Sequence, residues 1–273
     1  MHVIDAILLV IVASTPLLLA VEGEVIVQRS GMINLGIEGM MLAAAMSSLL
    51  IAPGFLGGIA GAAVMAALFG LFAIVLRADQ IVTGTAINFL ALGLTGFIYR
   101  EMQDRFSRPI THSRIDGIAI AAWTVIPIVL AFLLWRTRFG LRLRACGENP
   151  EAVTAAGHSV ALHRWTALGI EAILAGLAGS HLALVLSNGF AENMTAGRGF
   201  IALSIVIFGR WKIKGALLGT AVFGIAAAAQ YALQATGHGL PFHLLLAIPY
   251  VVTLLILCGI TGRVRAPEAL GRS

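Results

Sequence analysis

Long apolar runs follow one another along this chain with only short polar stretches between them. Hydrophobic residues make up 59% of the 273 residues and charged residues only 11%, whereas a soluble domain usually carries about 25% charged residues. The apolar runs lie at 3–21, 32–52, 55–76, 81–99, 118–135, 166–187, 199–209, 215–235 and 241–260. A helix needs roughly 20 apolar residues to cross a bilayer. We therefore expect an all-α, polytopic membrane protein with about eight to nine transmembrane or partly spanning helices.

The run at 199–209 is too short to cross a bilayer alone. We expect it to form a broken or tilted element together with the polar stretch 188–198 that precedes it. The first run could be a cleaved signal peptide, but its start lacks basic residues, which favours an uncleaved helix. Every polar stretch is too short for an independent soluble core, so residues 1–273 should form a single transmembrane domain.

Basic residues gather in the stretches 136–164 and 210–214 and in the C-terminal tail. Cytoplasmic loops carry an excess of Lys and Arg, so these stretches, together with Arg29 and Arg77, are predicted to face the cytoplasm. The C-terminus is then cytoplasmic and the N-terminus lies outside. The loop 100–117 becomes external although it holds four arginines. The same rule explains the net charge of +5 without nucleic acid, which we do not expect as a partner.

A polar segment that contains Asn34 and Glu38 interrupts the apolar pattern early in the chain. Charged residues at membrane depth are costly unless they face a cavity or a partner. Residues four apart share one face of a helix, but Gly31, Gly36 and Gly39 favour a break, and broken helices often line transporter sites. Asn34 and Glu38 are thus candidates for a substrate pathway or a gate. Alternatively, Glu38 caps the end of a neighbouring helix or pairs with an arginine.

Other polar residues in the apolar runs are weaker candidates for the same pathway: Thr83, Asn88, Glu171 and Gln230. Such residues often only join helices by hydrogen bonds worth about 0.6–2 kcal/mol. Because Glu38 and Glu171 could titrate, an ion-coupled secondary transporter that acts alone stays open as an alternative.

The stretch 136–164 contains the pattern of one short helix. Asn149 suits an N-cap, Pro150 a first helical residue, and Glu151 the positive end of the helix dipole. Gly157 is a suitable stop. Alanines give this helix a narrow face that could dock into a groove on a soluble partner; alternatively, the helix lies on the lipid surface.

Motifs for chemistry are missing from the sequence. It has no glycine-rich phosphate loop followed by Lys-Ser/Thr and no nucleophile elbow. Its two cysteines, Cys146 and Cys258, lack metal-type spacing. The segment 193–202 superficially fits a dinucleotide fingerprint, but no strand precedes it, so we expect a turn that leads into a helix. The chain should therefore be neither an ATPase nor any other enzyme, and it should hold no metal or cofactor.

Three segments resemble the permease family of ABC importers for branched-chain amino acids, simple sugars and nucleosides. They are 29–41, 144–157, and 195–202 with 207–211. The first, Arg29-Ser30-Gly31-Met32-Ile33-Asn34-Leu35-Gly36-Ile37-Glu38-Gly39-Met40-Met41, is most similar to the nucleoside and sugar-type branch. The chain departs from the family at His158 and at Glu171. Glu171 would either be specific to the substrate of this protein or pair with a local arginine.

The resemblance implies a permease subunit in the inner membrane that carries a nucleoside or a related small polar solute, with a sugar or a branched-chain amino acid as other options. It also implies three partners: a homologous second permease, an ABC ATPase that binds the ATP and Mg, and an extracytoplasmic substrate-binding protein. The stretch 136–164 would be the cytoplasmic coupling loop. Its implied contacts to the ATPase are Gly147, Glu148, Asn149, Pro150, Ala155, Ala156 and Gly157. A membrane scaffold without transport activity is the third alternative.

Overall fold

A computed structural model describes residues 3–51, 54–102, 117–235, 251 and 265–272. Within this part, side chains are described except at 3–7, 9 and 230–235. The elements found there are helical: α1 Val3–Arg29, α2 Ile37–Leu50, α3 Phe55–Gly70, α4 Gln80–Glu101, α5 Gly117–Trp123, α6 Val125–Arg136, α7 Arg138–Glu148, α8 Pro150–Ala155, α9 Val160–His181, α10 Arg198–Phe208 and α11 Ile213–Ala235. The all-α prediction is confirmed.

Five helical segments of the described part are long and apolar enough to cross a membrane: Val10–Arg29, Phe55–Val75, Gln80–Glu101, Gly117–Arg136 and Val160–Leu186. Three shorter apolar helices lie at Ile37–Leu50, Arg198–Phe208 and Ile213–Ala229. Together they match the first eight predicted runs and confirm a polytopic membrane protein. The ninth run, 241–260, lies outside the described residues except for Val251.

Helices α1 and α9 form the centre of the bundle. The share of buried residues is 78% in Val10–Arg29 and 72% in Val160–Leu186, against 28% in Gln80–Glu101. Small residues allow the close approach: a Cβ added at Gly23 of α1 would lie 3.3 Å from the Cα of Glu171 in α9. Lipid provides no hydrophobic force between helices, so such close packing has to hold them together.

Helices α3 and α9 end in the same way, at opposite ends of the bundle. Each continues into a five-residue π-helical turn, Leu71–Val75 after α3 and Leu182–Leu186 after α9. Each turn is followed by a residue with left-handed backbone, Arg77 with φ of 54° and Asn188 with φ of 50°. Matching elements of opposite direction are typical of transporters built from inverted repeats.

The predicted boundaries at the start of the chain were wrong. Helix α1 continues past residue 21 to Arg29 because its polar residues there are buried inside the bundle and not exposed at its end. Residues 30–36 are then not helical, and α2 begins only at Ile37. Asn34 and Glu38 therefore do not share a helix face. Gly31 supports the break with a φ of +89°, a conformation that favours glycine.

Two later runs are also divided. The run 118–135 forms two consecutive helices that meet at Thr124. Residues 188–197 precede α10 as turns and irregular backbone, so α10 is a short helix of 11 residues with an irregular lead-in. This agrees with the predicted broken element and with the predicted turn that leads into a helix.

The basic stretches of the described part gather at one end of the bundle. Arg29 Nε donates to the Trp211 carbonyl at 2.7 Å, and the Arg144 guanidinium lies 4.1 Å from the centre of the Trp135 ring. At the other end, Arg100 pairs with Glu192 at 2.9 Å. The charge separation read from the sequence is thus present in the fold.

Candidate functional site: a broken helix and an exposed loop helix

Side chains of α4 hold the non-helical segment 30–36 in place. The Gln80 side-chain oxygen accepts the Ile33 N–H at 2.7 Å. Asn88 accepts the Gly39 N–H at 2.8 Å and donates to the Leu35 carbonyl at 2.8 Å. Backbone that leaves the helix at membrane depth needs such partners. Asn88, a predicted pathway residue, therefore positions the break.

Asn34 lies at the centre of a buried polar cluster. Its Nδ2 donates to Glu171 Oε2 at 2.6 Å, and its Oδ1 accepts the Gly36 N–H at 2.9 Å. Its own N–H points to Glu24 Oε1 at 3.3 Å, which also accepts from Gln28 Nε2 at 2.8 Å. Asn34, Glu24 and Glu171 are fully buried. Two of the predicted pathway residues, Asn34 and Glu171, are therefore in direct contact.

Among the described residues, the partner of Glu171 is Asn34 and not an arginine. Its Oε2 accepts from Asn34, and its Oε1 has no hydrogen-bond partner there. Of the two alternatives for Glu171, pairing with a local arginine was therefore wrong for this part of the chain. The long separation along the sequence, 137 residues between Asn34 and Glu171, hides the contact from any local pattern.

Glu22, Glu24 and Gln28 are not predicted as site residues, because the apolar run in the sequence ends at residue 21. Glu22 is fully buried, and neither of its carboxyl oxygens has a partner among the described residues. Gln28 accepts the Trp211 indole N–H at 2.6 Å. Two carboxylates directly after an apolar run, with a helical pattern continuing beyond them, were the available signal, since ionisable residues at membrane depth are usually functional.

Glu38 caps α10. Its two carboxyl oxygens accept the N–H groups of Gly197 at 2.7 Å and of Gly199 at 2.5 Å. A carboxylate is favourable at the positive N-terminal end of a helix. Gly199 leaves the space, because a Cβ there would lie 2.8 Å from the Cα of Glu38. The capping alternative predicted for Glu38 is confirmed, and it joins the starts of two short helices, α2 and α10.

The other predicted pathway residues add less. Thr83 is buried on α4, beside the residues that hold the break. Gln230 belongs to α11, but its side chain lies outside the described residues.

The predicted short helix in the basic loop is α8. Asn149 is its N-cap, with Oδ1 accepting the Ala152 N–H at 3.0 Å, and Pro150 is its first residue. Gly157 follows its end with a φ of +79°. These local predictions are confirmed. Most of the predicted coupling residues are exposed: Glu148, Asn149, Ala155, Ala156 and Gly157.

Gly147, at the end of α7, is the buried exception, and it links the loop to the break. A Cβ at Gly147 would lie 2.4 Å from the Arg29 carbonyl oxygen and 3.1 Å from the Gly31 nitrogen. The C-terminal segment 265–272 spans both sites. Ala269 donates to the Gly147 carbonyl at 2.8 Å, and Gly271 donates to the Gly31 carbonyl at 2.9 Å. The end of α7, which leads into α8, is therefore packed directly against the broken segment.

The fold and the site define a multi-pass membrane transport subunit. Short helices begin inside its bundle with buried polar residues around them, and a loop helix is exposed at its basic end. The chain belongs to the family described as "Branched-chain amino acid transport system / permease component", whose model matches residues 6–259.

Relatives of known name support the same class. The chain is 34% identical to the guanosine ABC transporter permease protein NupQ of Bacillus subtilis, over 96% of this chain and 93% of that protein. It is 34% identical to the nucleoside ABC transporter permease protein NupC of Lactococcus lactis subsp. cremoris, over the same shares. A putative glucose ABC transporter permease protein of Haloferax volcanii, TsgC13, is 34% identical over 81% of this chain and 75% of its own. No solved structure matches the chain.

Proposed function

We propose that this chain is the membrane-spanning permease subunit of an ABC importer that carries nucleosides into the cell. The observation that supports the solute is the similarity to two nucleoside permeases along almost the full chain. Sugars and branched-chain amino acids are the competing solutes, because the family and the Haloferax relative point to them.

The proposal includes the rest of the transporter. The subunit lies in the inner membrane, with residues 1–273 acting as one permease domain and the C-terminus in the cytoplasm. It pairs with a homologous second permease and receives solute from an extracytoplasmic binding protein. An ABC ATPase binds ATP and Mg and docks on the loop 136–164. The gathering of basic residues at the loop end supports this orientation.

Movement of the ATPase reaches the pathway through Gly147. The coupling contacts that surround α8 are exposed, whereas Gly147 touches the backbone at Arg29 and Gly31. A displacement of α8 is therefore passed to the adjoining end of α7 and from Gly147 to the segment 30–36, which carries Asn34 into the buried cluster. Interfaces of this kind have discrete packed arrangements and amplify small shifts.

The solute pathway runs beside the starts of α2 and α10. Asn34, Asn88 and Glu171 hold the segment before α2, and Glu38 holds α10, so these four residues shape the wall of the pathway. Thr83 and Gln230 complete the set that we assign to it. Backbone groups freed at helix breaks and polar side chains suit the hydroxyl and amide groups of a nucleoside.

Reconstitution of the complete transporter in liposomes tests the coupling role. Replacing Asn149 by Arg together with Pro150 by Glu should reduce solute-stimulated ATP hydrolysis and nucleoside uptake about tenfold or more. The control is Lys212→Gln with Lys214→Gln, which alters two exposed residues on the same end of the protein outside the loop 136–164. Uptake that is unchanged in the α8 variant, or uptake by this chain alone driven by an ion gradient, would contradict the proposal.

The orientation has its own test. Cys146 is buried, and its burial raises the pKa of its thiol, so the native cysteine is a poor reporter. Ala156→Cys, in a chain whose native cysteines are replaced by alanine, places a thiol on the exposed loop. A membrane-impermeant maleimide should label it only in broken cells. Labelling in intact cells would place the loop outside and overturn the proposed docking of the ATPase.

A further inference from the structure

A basic cleft of about 520 Å³ lies between α8, α9 and the C-terminal segment. Three guanidinium groups line it, those of Arg77, Arg164 and Arg272, and one carboxylate, that of Glu151. The cleft is separate from the buried polar cluster around Asn34. Two of the implied ATPase contacts, Pro150 and Ala155, also line it, but the proposed transport mechanism gives its arginines no task.

Arg164 carries a buried charge and forms no ion pair in the described part of the chain, although the exposed Glu151 lines the same cleft. The residue is only 7% exposed. One of its nitrogens donates to the Arg272 carbonyl at 2.8 Å, while its Nε has no partner among the described residues. The ion pairs described in this structure, Arg100 with Glu192 and Arg265 with Glu268, do not involve it. A buried charge is costly unless it is paired.

The neighbouring thiol does not supply that charge. Burial raises the pKa of the Cys146 thiol, and the positive charge of Arg164 only partly opposes this shift. The thiol therefore stays neutral near pH 7. Arg77 and Arg272 are exposed and add positive charge at the mouth of the cleft, so an anion that enters meets three donors of the type that binds phosphate oxygens.

The position of the cleft indicates the source of the anion. Its lining includes Ile74, near the end of the span Phe55–Val75, and Val160, the first residue of the span Val160–Leu186. The adjoining Leu76 and Leu162 are 60% and 61% exposed, so apolar surface begins where the basic cleft ends. An anionic phospholipid offers both matching parts, a phosphate for the arginines and acyl chains for the leucines.

We propose that this cleft binds the phosphate of an anionic phospholipid headgroup beside the coupling loop. The bound phosphate supplies the countercharge of Arg164 and fastens α8 and the C-terminal segment to the inner surface of the membrane. The proposal concerns binding by this chain and holds whichever solute the transporter carries.

Native mass spectrometry of the full chain in detergent tests the site with phosphatidylglycerol, phosphatidylcholine and inorganic phosphate as probes. The variant Arg77→Gln/Arg272→Gln removes two exposed charges and leaves Arg164 and its contact to the Arg272 backbone in place. Each arginine should contribute the binding free energy that is usual for a basic residue at a membrane surface. Phosphatidylglycerol should therefore bind about fivefold more weakly for each arginine removed, or about 25-fold more weakly for the pair.

The control Arg138→Gln/Lys214→Gln has the same net charge, and both residues are exposed outside the cleft. It should bind phosphatidylglycerol as the wild type does, and phosphatidylcholine should bind more weakly than phosphatidylglycerol. If millimolar inorganic phosphate raises the unfolding temperature of the wild type but not of the cleft variant, and lipid binding is equal in both, the anion site is real but its source is a soluble phosphate. Equal binding of every probe by wild type, variant and control overturns the site.

Discussion

The broken segment 30–36 and the loop helix α8 both depart from the plain pattern of membrane-spanning helices, but their polar groups are satisfied in opposite ways. Around 30–36, side chains from α1, α4 and α9 supply the hydrogen bonds, and Asn34 is fully buried. In α8, Asn149 caps its own helix and most neighbouring residues are exposed. A change in the first region must therefore disturb the protein itself, whereas a change in the second is felt mainly by a partner.

This difference separates stability from coupling. A buried donor or acceptor that loses its partner costs its full desolvation penalty, while an exposed one is satisfied by water. Stability measurements on the isolated subunit should therefore report on the broken segment, and transport measurements on the assembled importer should report on α8.

Asn34→Leu should have the largest effect on stability. It removes the amide that donates to Glu171 Oε2 at 2.6 Å, and it removes the oxygen that accepts the Gly36 N–H. It leaves two buried groups without a partner, at about 1–3 kcal/mol each, to be measured by denaturant unfolding of the purified subunit in detergent.

The double variant Asn34→Leu/Glu171→Leu is the matched control. Replacing both partners of a buried pair by apolar groups of similar size is often nearly neutral, so it should recover a large part of the lost stability. If the double variant is as unstable as the sum of its single changes, the contact between the two side chains contributes nothing of its own.

Gly147→Ala should come next, because it acts where the two regions meet. The new Cβ would lie 2.4 Å from the Arg29 carbonyl oxygen, and backbone cannot move aside as a flexible side chain can. Overpacking of this kind costs about 1–3 kcal/mol. Gly93→Ala is the control, since a Cβ at Gly93 has nothing within 4 Å, and its unfolding midpoint should not fall. A Gly147→Ala subunit with wild-type stability and wild-type transport would break the proposed link between loop and pathway.

Glu38→Gln should cost about 1–3 kcal/mol. An amide can accept only one of the two N–H groups of Gly197 and Gly199 with its oxygen, and its NH₂ then faces the other donor. It also loses the negative charge at the start of α10. Nucleoside uptake should fall together with stability. Normal uptake and normal stability would mean that α10 does not need this cap.

The predictable parts of the molecule are those governed by neighbours in sequence. The start and stop of α8 follow from Asn149, Pro150 and Gly157, because capping acts within one helical turn. The break near Asn34 was predicted from its glycines. Its partners were not, because the contact to Glu171 spans 137 residues and the cap of α10 by Glu38 spans 159 and 161. Glu22 and Glu24 were missed because hydropathy ends a run at a charge, although the helix continues.

Asn149→Ala should have the smallest effect on stability. Its effect on transport should be much larger than its effect on stability. The substitution removes one exposed cap, to the Ala152 N–H, which is usually worth about 1 kcal/mol. Since α8 has only six residues and Val153 alone is buried in it, loosening it leaves the bundle intact. ATP hydrolysis and uptake in liposomes should nevertheless fall, because a frayed α8 presents no fixed surface to the ATPase. Asn149→Asp, which keeps a capping oxygen, should retain more activity than Asn149→Ala. If both variants couple as well as wild type, α8 is an exposed helix without a docking role, and the functional contrast between the two regions is lost.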